Sequence, residues 1–268
     1  MKRTNTILYL VVPCYNEEEV LHKSAAVLLD KLDRLIQAGT ISDKSKILFI
    51  NDGSKDSTWQ IIYELTRQNS KYAGLSFSRN YGHQSAILAG MMAARSKADA
   101  VVTIDADLQQ DIEALDQFLE CYQNGCEIVY GVRSARTTDT FFKRFTAESF
   151  YHMISMMGGE IVFNHADYRL MSKRALEEMA KYKEVNLFLR GIVPMIGFKT
   201  DVVTYERHER MAGESKYPLK KMLALAVDGI TSLSIKPIRF IVFLGFMIFM
   251  CSILMLIYSL VQHFLGNT

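Results

Sequence analysis

Apolar residues along this chain fall into short unbroken runs that alternate with stretches of helical spacing. Ile7 to Val12, Ile47 to Ile50 and Val101 to Ile104 are such runs, and each stops abruptly at polar, turn-forming residues. The first closes in Pro13-Cys14-Tyr15-Asn16-Glu17-Glu18, the second in Asn51-Asp52-Gly53-Ser54-Lys55-Asp56, and the third in Asp105-Ala106-Asp107. After the first run, Val20, Ala25, Leu28, Leu32 and Leu35 keep a helical period; after the second, Trp59, Ile61, Ile62 and Leu65 do the same. Strand, helix and strand in this order predict an α/β domain with a mostly parallel, Rossmann-like sheet, whose right-handed crossovers gather the strand ends at one rim. Ligands of open α/β sheets bind beyond that rim, so Asp52 and Asp105 are expected to meet there.

One segment breaks the rhythm. From Phe240 to Val261 there are 22 consecutive residues without Asp, Glu, Lys or Arg, enough for a helix of about 33 Å against a hydrocarbon core of about 30 Å. This helix is expected to span a membrane. Lys220, Lys221, Lys236 and Arg239 precede it and only His263 follows, which puts the amino-terminal domain on the cytoplasmic side of an inner or plasma membrane. Tyr217 to Ile235, bounded by Pro218 and Pro237, mixes lysines with Leu219, Met222, Leu223, Leu225 and Ala226, the pattern of a helix lying in the interface; a cytosolic core helix is the alternative. The chain therefore divides into a domain over 1–216, a juxtamembrane amphipathic helix over 217–236 and a transmembrane helix over 237–265.

Composition narrows the chemistry. With 268 residues, 49% of them hydrophobic, the chain holds one sizeable domain plus its apolar tail. Its 31 basic and 29 acidic residues leave a net charge of +2, which argues against nucleic acid as a partner. Cys14, Cys121, Cys126 and Cys251 show no paired metal spacing and read as reduced, structural thiols. Ile7 to Val12 is too short for a signal peptide and is followed by Glu17-Glu18-Glu19. No Gly-x-Gly-x-x-Gly follows the first strand and no Gly-Lys-Ser/Thr loop occurs, which disfavours dinucleotide and P-loop chemistry. Asp105 and Asp107 are hard oxygen ligands of the kind that bind Mg²⁺ or Mn²⁺ beside a diphosphate; a solvated acidic turn is the plainer reading of Asp-x-Asp alone.

Six ordered motifs decide between these readings. Val12-Pro13-Cys14-Tyr15-Asn16-Glu17-Glu18, Asn51-Asp52-Gly53-Ser54, Ser78-Arg79-Asn80-Tyr81-Gly82-His83-Gln84, Asp105-Ala106-Asp107-Leu108-Gln109, Asp167-Tyr168-Arg169-Leu170 and Ala212-Gly213-Glu214-Ser215-Lys216-Tyr217 together cover nearly the whole chain. In order and spacing they resemble the family 2 inverting glycosyltransferases, and within them the GtrB and dolichol-phosphate-mannose-synthase branch that glycosylates polyprenyl phosphates.

The resemblance implies a GT-A domain and a role for each motif. Pro13, Tyr15, Glu17 and Asp52 would hold the nucleotide, Tyr15 by stacking and Asp52 by accepting hydrogen bonds; a loop aromatic and a turn-stabilising aspartate are the structural alternatives. Asp105 and Asp107 would take the metal and the donor diphosphate, with Gln109 a further oxygen ligand. Arg133 would face the acceptor phosphate, and Lys143 and Arg144 would lie in an acceptor loop against lipid, where a docked surface helix is the alternative. Arg207, Arg210, Ser215 and Lys216 would form a mobile loop that closes over the donor and excludes water. His83 and His165 read as structural or substrate-positioning residues.

Asp167 occupies the place usually given to a catalytic base. An alcohol acceptor needs one, whereas a phosphate monoester, with a second pKa of about 6, is already mostly ionised at neutral pH. Asp167 is therefore expected to orient the nucleophile or balance the arginines. The implied activity is transfer of one sugar from a UDP-sugar, glucose or N-acetylglucosamine favoured, onto undecaprenyl or another polyprenyl phosphate for modification of a cell-envelope glycan. A GDP-mannose user is the enzymatic alternative, and an inactive anchored scaffold that binds nucleotide sugar is the alternative from another class. The absence of Gln-x-x-Arg-Trp, with Trp59 the only tryptophan, argues against a processive synthase. Relatives of this branch carry two membrane helices near the carboxyl end and assemble as tetramers; the second helix is expected to be missing here, since the chain stops at Leu265-Gly266-Asn267-Thr268.

Overall fold

In the computed structural model, residues 5–134, 165–182, 189–206 and 236–266 are described. The three apolar runs form strands where the pattern puts them. β1 (Leu8–Cys14) lies between β2 (Lys46–Asn51) and β4 (Ala100–Thr103), with β3 (Tyr72–Ser76) at the edge beyond β2. All four are parallel, and Val11 pairs with Leu48 on one side and Thr103 on the other. Every residue of β1 and β4 is buried, as a strand covered on both faces requires.

The sheet continues through β5 (Ile128–Arg133), β6 (His165–Ser172) and β7 (Thr200–Tyr205) in the order β3-β2-β1-β4-β6-β5-β7. β6 is inserted out of chain order and runs antiparallel to both neighbours, so that Leu170 pairs with Val102 of β4 and with Val129 of β5. β5 and β7 are parallel. The expected mostly parallel sheet is thus present, with one reversed strand that no local pattern announces.

Two layers of helix cover it. α1 (Leu21–Gln37), α2 (Thr58–Gln68) and α4 (Ala114–Gln123) bury Leu28, Leu32, Ile62 and Phe118 against Leu10 and Phe49 of the sheet. The other face takes α3 (His83–Ala94), α5 (Lys173–Met179) and α6 (Leu189–Met195), whose Ile87, Met91, Leu176 and Val193 pack on Val11, Ile50 and Val101. The apolar stripe of α1 is buried as its spacing predicts, whereas Trp59 of α2 remains 38% exposed. Lys31 of α1 is almost wholly enclosed, with Nζ 2.6 Å from Glu113 and 2.7 Å from Asp116, and so ties α1 to the segment of α4.

Past the domain, α7 (Lys236–Phe264) contains a window, Ile241–Phe264, of 24 residues with a mean hydropathy of 2.6 and no buried share, long and apolar enough to cross a membrane. The segment 217–235 lies outside the described residues.

What positions the site is the lacing of the loops at the strand ends. The Asn16 amide donates to Ser54 Oγ (3.0 Å), the Lys55 amide to Asn16 Oδ1 (2.9 Å) and the Glu17 amide to Thr58 Oγ1 (2.9 Å), joining the loops after β1 and β2. Asn16 adopts a left-handed φ of 53° to do so. Gly53, at φ 62°, brings this pair onto the loop after β3: a Cβ there would stand 2.2 Å from the carbonyl carbon of Arg79. Gly53→Ala is therefore expected to cost more than about 2 kcal/mol, from left-handed strain together with the collision. Thermal melting of the purified variant should show a Tm lower by roughly 5 °C or more.

Candidate active site

β4 hands its chain to the acidic turn abruptly. Ile104 donates to the Val11 carbonyl (3.0 Å), the last bond of the β1–β4 ladder, and Leu108 then takes a left-handed φ of 50°. A leucine in that region marks a turn held by its surroundings. Gln110, itself buried, clamps Asp105 from both ends: its Oε1 accepts the Asp105 amide (2.8 Å) and its Nε2 donates to Asp105 Oδ2 (2.5 Å). Asp107 is 9% exposed, and its Oδ1 accepts the Gln109 amide at 3.2 Å. The side chain of Gln110, which the sequence motif does not single out, thus holds Asp105.

Burial pushes the Asp105 carboxyl above the ordinary carboxylate range; His83 opposes the rise, repulsion from Asp107 and Asp167 adds to it, and the Gln110 hydrogen bond opposes it. The side chain is 32% exposed, so the crowding comes from protein packed around the carboxyl while its tip still meets solvent.

Asp167 arrives from β6. Thr103 pairs with Arg169 in the β4–β6 register, and the Thr103 hydroxyl donates to the Asp167 carbonyl. Asp167 Oδ1 accepts from Arg169 Nη2 at 2.7 Å; Arg169 is completely enclosed and also donates through Nη1 to the Leu189 carbonyl (3.4 Å). Oδ2 stands 3.7 Å from His83 Nε2, which is in turn 3.6 Å from Asp105 Oδ1. The first residue of α3 therefore sits between the carboxylate at the end of β4 and the one on β6. Arg133 ends β5 beside the Val132–His165 pair; it is half-buried, and its Nε is enclosed without a hydrogen-bond partner among the described residues.

On the other flank, Asp52 is 2% exposed and its two oxygens accept the amides of Tyr81 (2.7 Å) and Gly82 (3.0 Å). Burial raises its carboxyl, while those two amides and His83 act against the rise. Asp52 and Asp105 thus converge on the turn at 81–83, as their positions at strand ends lead one to expect, and Asp52 braces that turn. Pro13 is buried at the end of β1, and Tyr15 and Glu17 are half-buried in the loop after it. Lys143, Arg144, Arg207, Arg210, Ser215 and Lys216 lie outside the described residues.

Among the described residues no group of three or more His, Cys, Asp or Glu has the spacing of a metal cage. Mg²⁺ and Mn²⁺ do not require one beside a nucleotide, because they are commonly held by one or two carboxylates with water and substrate phosphate. The donor set here, Asp105 and Asp107 at an open strand end with a third carboxylate crowding them, fits such an ion: negative charge already concentrated there is lowered in energy by a cation.

Comparison with known proteins agrees with this architecture. The model of the family described as "Glycosyl transferase family 2" matches residues 9–180. The chain is 52% identical over its whole length, and over 80% of the relative, to "Uncharacterized glycosyltransferase YkoT" of Bacillus subtilis (strain 168). It is 40% identical to "Bactoprenol glucosyl transferase" of Shigella phage SfV, over 88% of this chain and 75% of that one. Among solved structures, glucosyl-3-phosphoglycerate synthase from Mycobacterium tuberculosis, in complex with Mn²⁺, UDP-glucose and phosphoglyceric acid, shares the fold with a TM-score of 0.50 at 16% identity, over 83% of this chain and 76% of that one.

The buried Arg169–Asp167 pair generates a stability prediction. Arg169→Met strands the carboxylate and is expected to destabilise the domain by about 3–5 kcal/mol. Adding Asp167→Asn removes the stranded charge, so the double variant should melt above the single Arg169→Met variant in the same detergent.

Proposed function

Because the chain belongs to glycosyl transferase family 2 and is a glycosyltransferase, we propose that it transfers a sugar from a UDP-sugar, glucose or N-acetylglucosamine, onto undecaprenyl phosphate at the cytoplasmic face of a membrane. The observation that carries this reading is the pairing of the Asp105–Asp107 turn with Asp167 and His83 at one rim, in a chain 40% identical to a bactoprenol glucosyl transferase. The apolar helix Ile241–Phe264 supports an acceptor that is itself in the membrane.

In this reading Asp105 and Asp107 hold a divalent metal with the donor diphosphate, with Pro13, Tyr15, Glu17 and Asp52 around the nucleoside and Arg210, Ser215 and Lys216 closing over it. A metal bound there neutralises the charge of the departing nucleoside diphosphate. Arg133, with Lys143 and Arg144, receives the acceptor phosphate; the enclosed Nε of Arg133 supports this, because it lacks a partner among the described residues that an oxyanion would supply. An acceptor phosphate oxygen forms the new bond to the anomeric carbon from the face opposite the diphosphate, whose glycosidic bond breaks, so an α-linked donor gives a β-linked lipid phosphosugar. No proton has to be removed from a phosphate dianion, and Asp167, with Oδ1 on Arg169, acts as an orienting carboxylate.

The direct test is transfer of radiolabelled sugar from a panel of UDP and GDP donors into undecaprenyl phosphate, with and without Mn²⁺. Label should enter lipid from one UDP-sugar and be abolished by chelator and by Asp107→Ala; label from GDP-mannose alone would instead assign a mannosyltransferase. Metal-dependent UDP binding with no transfer from any donor would leave a nucleotide-sugar-binding scaffold. For Asp167→Asn, turnover should persist and fall more at acid than at alkaline pH, because below about pH 6 the acceptor phosphate carries a proton that a carboxylate can accept and an amide cannot, whereas above it there is none to remove. Complete loss at every pH with unaltered UDP binding would overturn the orienting role of Asp167.

A further inference from the structure

His83 stands at the centre of the rim, and its position is fixed from three directions. Behind it, the amides of Tyr81 and Gly82 are both held by the enclosed carboxylate of Asp52, and Gly82 turns the chain with φ 95°. Ahead of it, Gln84 Oε1 accepts the amide of Leu189 (3.0 Å), the residue whose carbonyl receives Arg169. From within, its imidazole Nε2 lies 3.6 Å from Asp105 Oδ1 and 3.7 Å from Asp167 Oδ2. The side chain is 35% exposed, so it opens to the space over the strand ends where the two substrates must meet.

These contacts form a closed circuit. Asp167 is held at one oxygen by the buried Arg169, Arg169 holds Leu189, Leu189 holds Gln84, and Gln84 adjoins His83, which faces the other oxygen of Asp167. Within the circuit it is His83 that places a nitrogen within charge-pair range of Asp105 as well. Both of its carboxylate contacts are longer than a hydrogen bond and within charge-pair range. Such contacts are commonly long in a ligand-free site and tighten when substrates arrive. The same nitrogen faces the carboxylate on the metal side and the one on the acceptor side, so the alignment of one against the other passes through it.

Resting on the reading of the site as a polyprenyl-phosphate glycosyltransferase, we propose that His83 is a positioning residue for the transfer step, its Nε2 keeping the acceptor-side carboxylate of Asp167 aligned with the donor-side carboxylate of Asp105. It acts through those carboxylates. Its loss therefore disturbs the approach of acceptor to donor and leaves donor and metal binding in place.

The test uses the full chain in detergent, with UDP-glucose, Mn²⁺ and undecaprenyl phosphate, and compares His83→Ala, His83→Gln and His83→Asn. Gln carries an N–H at about the reach of Nε2, whereas Asn is too short to do so. The Ala and Asn variants should lose roughly 100-fold in kcat, the scale of a misplaced reacting group, and Gln should recover most of it. KM for UDP-glucose, and Mn²⁺-dependent UDP binding by calorimetry, should stay within about threefold of the parent in all three. Thermal melting separates misfolding from misalignment, and if the Ala variant does not fold the contrast of Gln with Asn carries the test. Unchanged kcat in Ala or Asn, equal losses in Gln and Asn, or a loss that appears as weaker Mn²⁺-dependent UDP binding would each overturn the proposal. No transfer by the parent enzyme from any donor would overturn the function itself, an outcome distinct from parental transfer with indifferent His83 variants.

Discussion

Like charges crowded at the ends of β4 and β6 are the constraint to which the rest of the molecule is fitted. Burial raises the carboxyl of Asp105, and repulsion from Asp107 and Asp167 adds to the rise. The fold answers each with a donor held rigidly: Gln110 on Asp105, the Gln109 amide on Asp107, Arg169 on Asp167. Arg169 can be wholly enclosed only because its charge is matched there. Left-handed backbone at Asn16 and Leu108 belongs to the same arrangement, since both residues turn the chain sharply where a loop leaves the sheet for the rim.

Much of this was legible in the residues, and the exceptions have particular causes. The runs ending at Val12, Ile50 and Ile104 identify β1, β2 and β4, because a strand covered on both faces must be apolar throughout. The spacing of Ala25, Leu28, Leu32 and Leu35 identifies α1 and its buried face. What local pattern could not give was β6, whose place between β4 and β5 and whose direction are fixed by pairing across the sheet. That pairing is what delivers Asp167 to Asp105, so their proximity followed from the family motifs and not from periodicity. The role of Gln110 was not legible, because its hydrogen bonds to Asp105 depend on a turn with left-handed backbone at Leu108 that no local pattern announces. Trp59 fell in step with the apolar spacing of α2 and yet is partly exposed. His83 was set aside as structural or substrate-positioning, since only the three-dimensional arrangement shows it facing two carboxylates at once.

The membership of the chain in glycosyl transferase family 2 and the disposition of these groups describe one division of labour. The parallel half, β3 to β4, supplies the loops laced around Asp52 and the acidic turn. The half rearranged by β6 supplies Asp167, Arg169 and Arg133. The two halves face each other across the amino-terminal end of α3, which is anchored to both through Asp52 and Leu189.

Pro13 gives this division a boundary. In a parallel ladder successive residues alternate between neighbours, and since the Val11 carbonyl bonds to β4 while the Cys14 carbonyl bonds to Asp52 beside β2, the nitrogen of Pro13 points toward the side of β4. It has no hydrogen to offer there. Zipping between the two strands must stop after Ile104, one residue before the first carboxylate. The acidic segment is thereby kept from being absorbed into the sheet as more strand, and the turn it makes there depends on one hydrogen atom that an imino acid lacks.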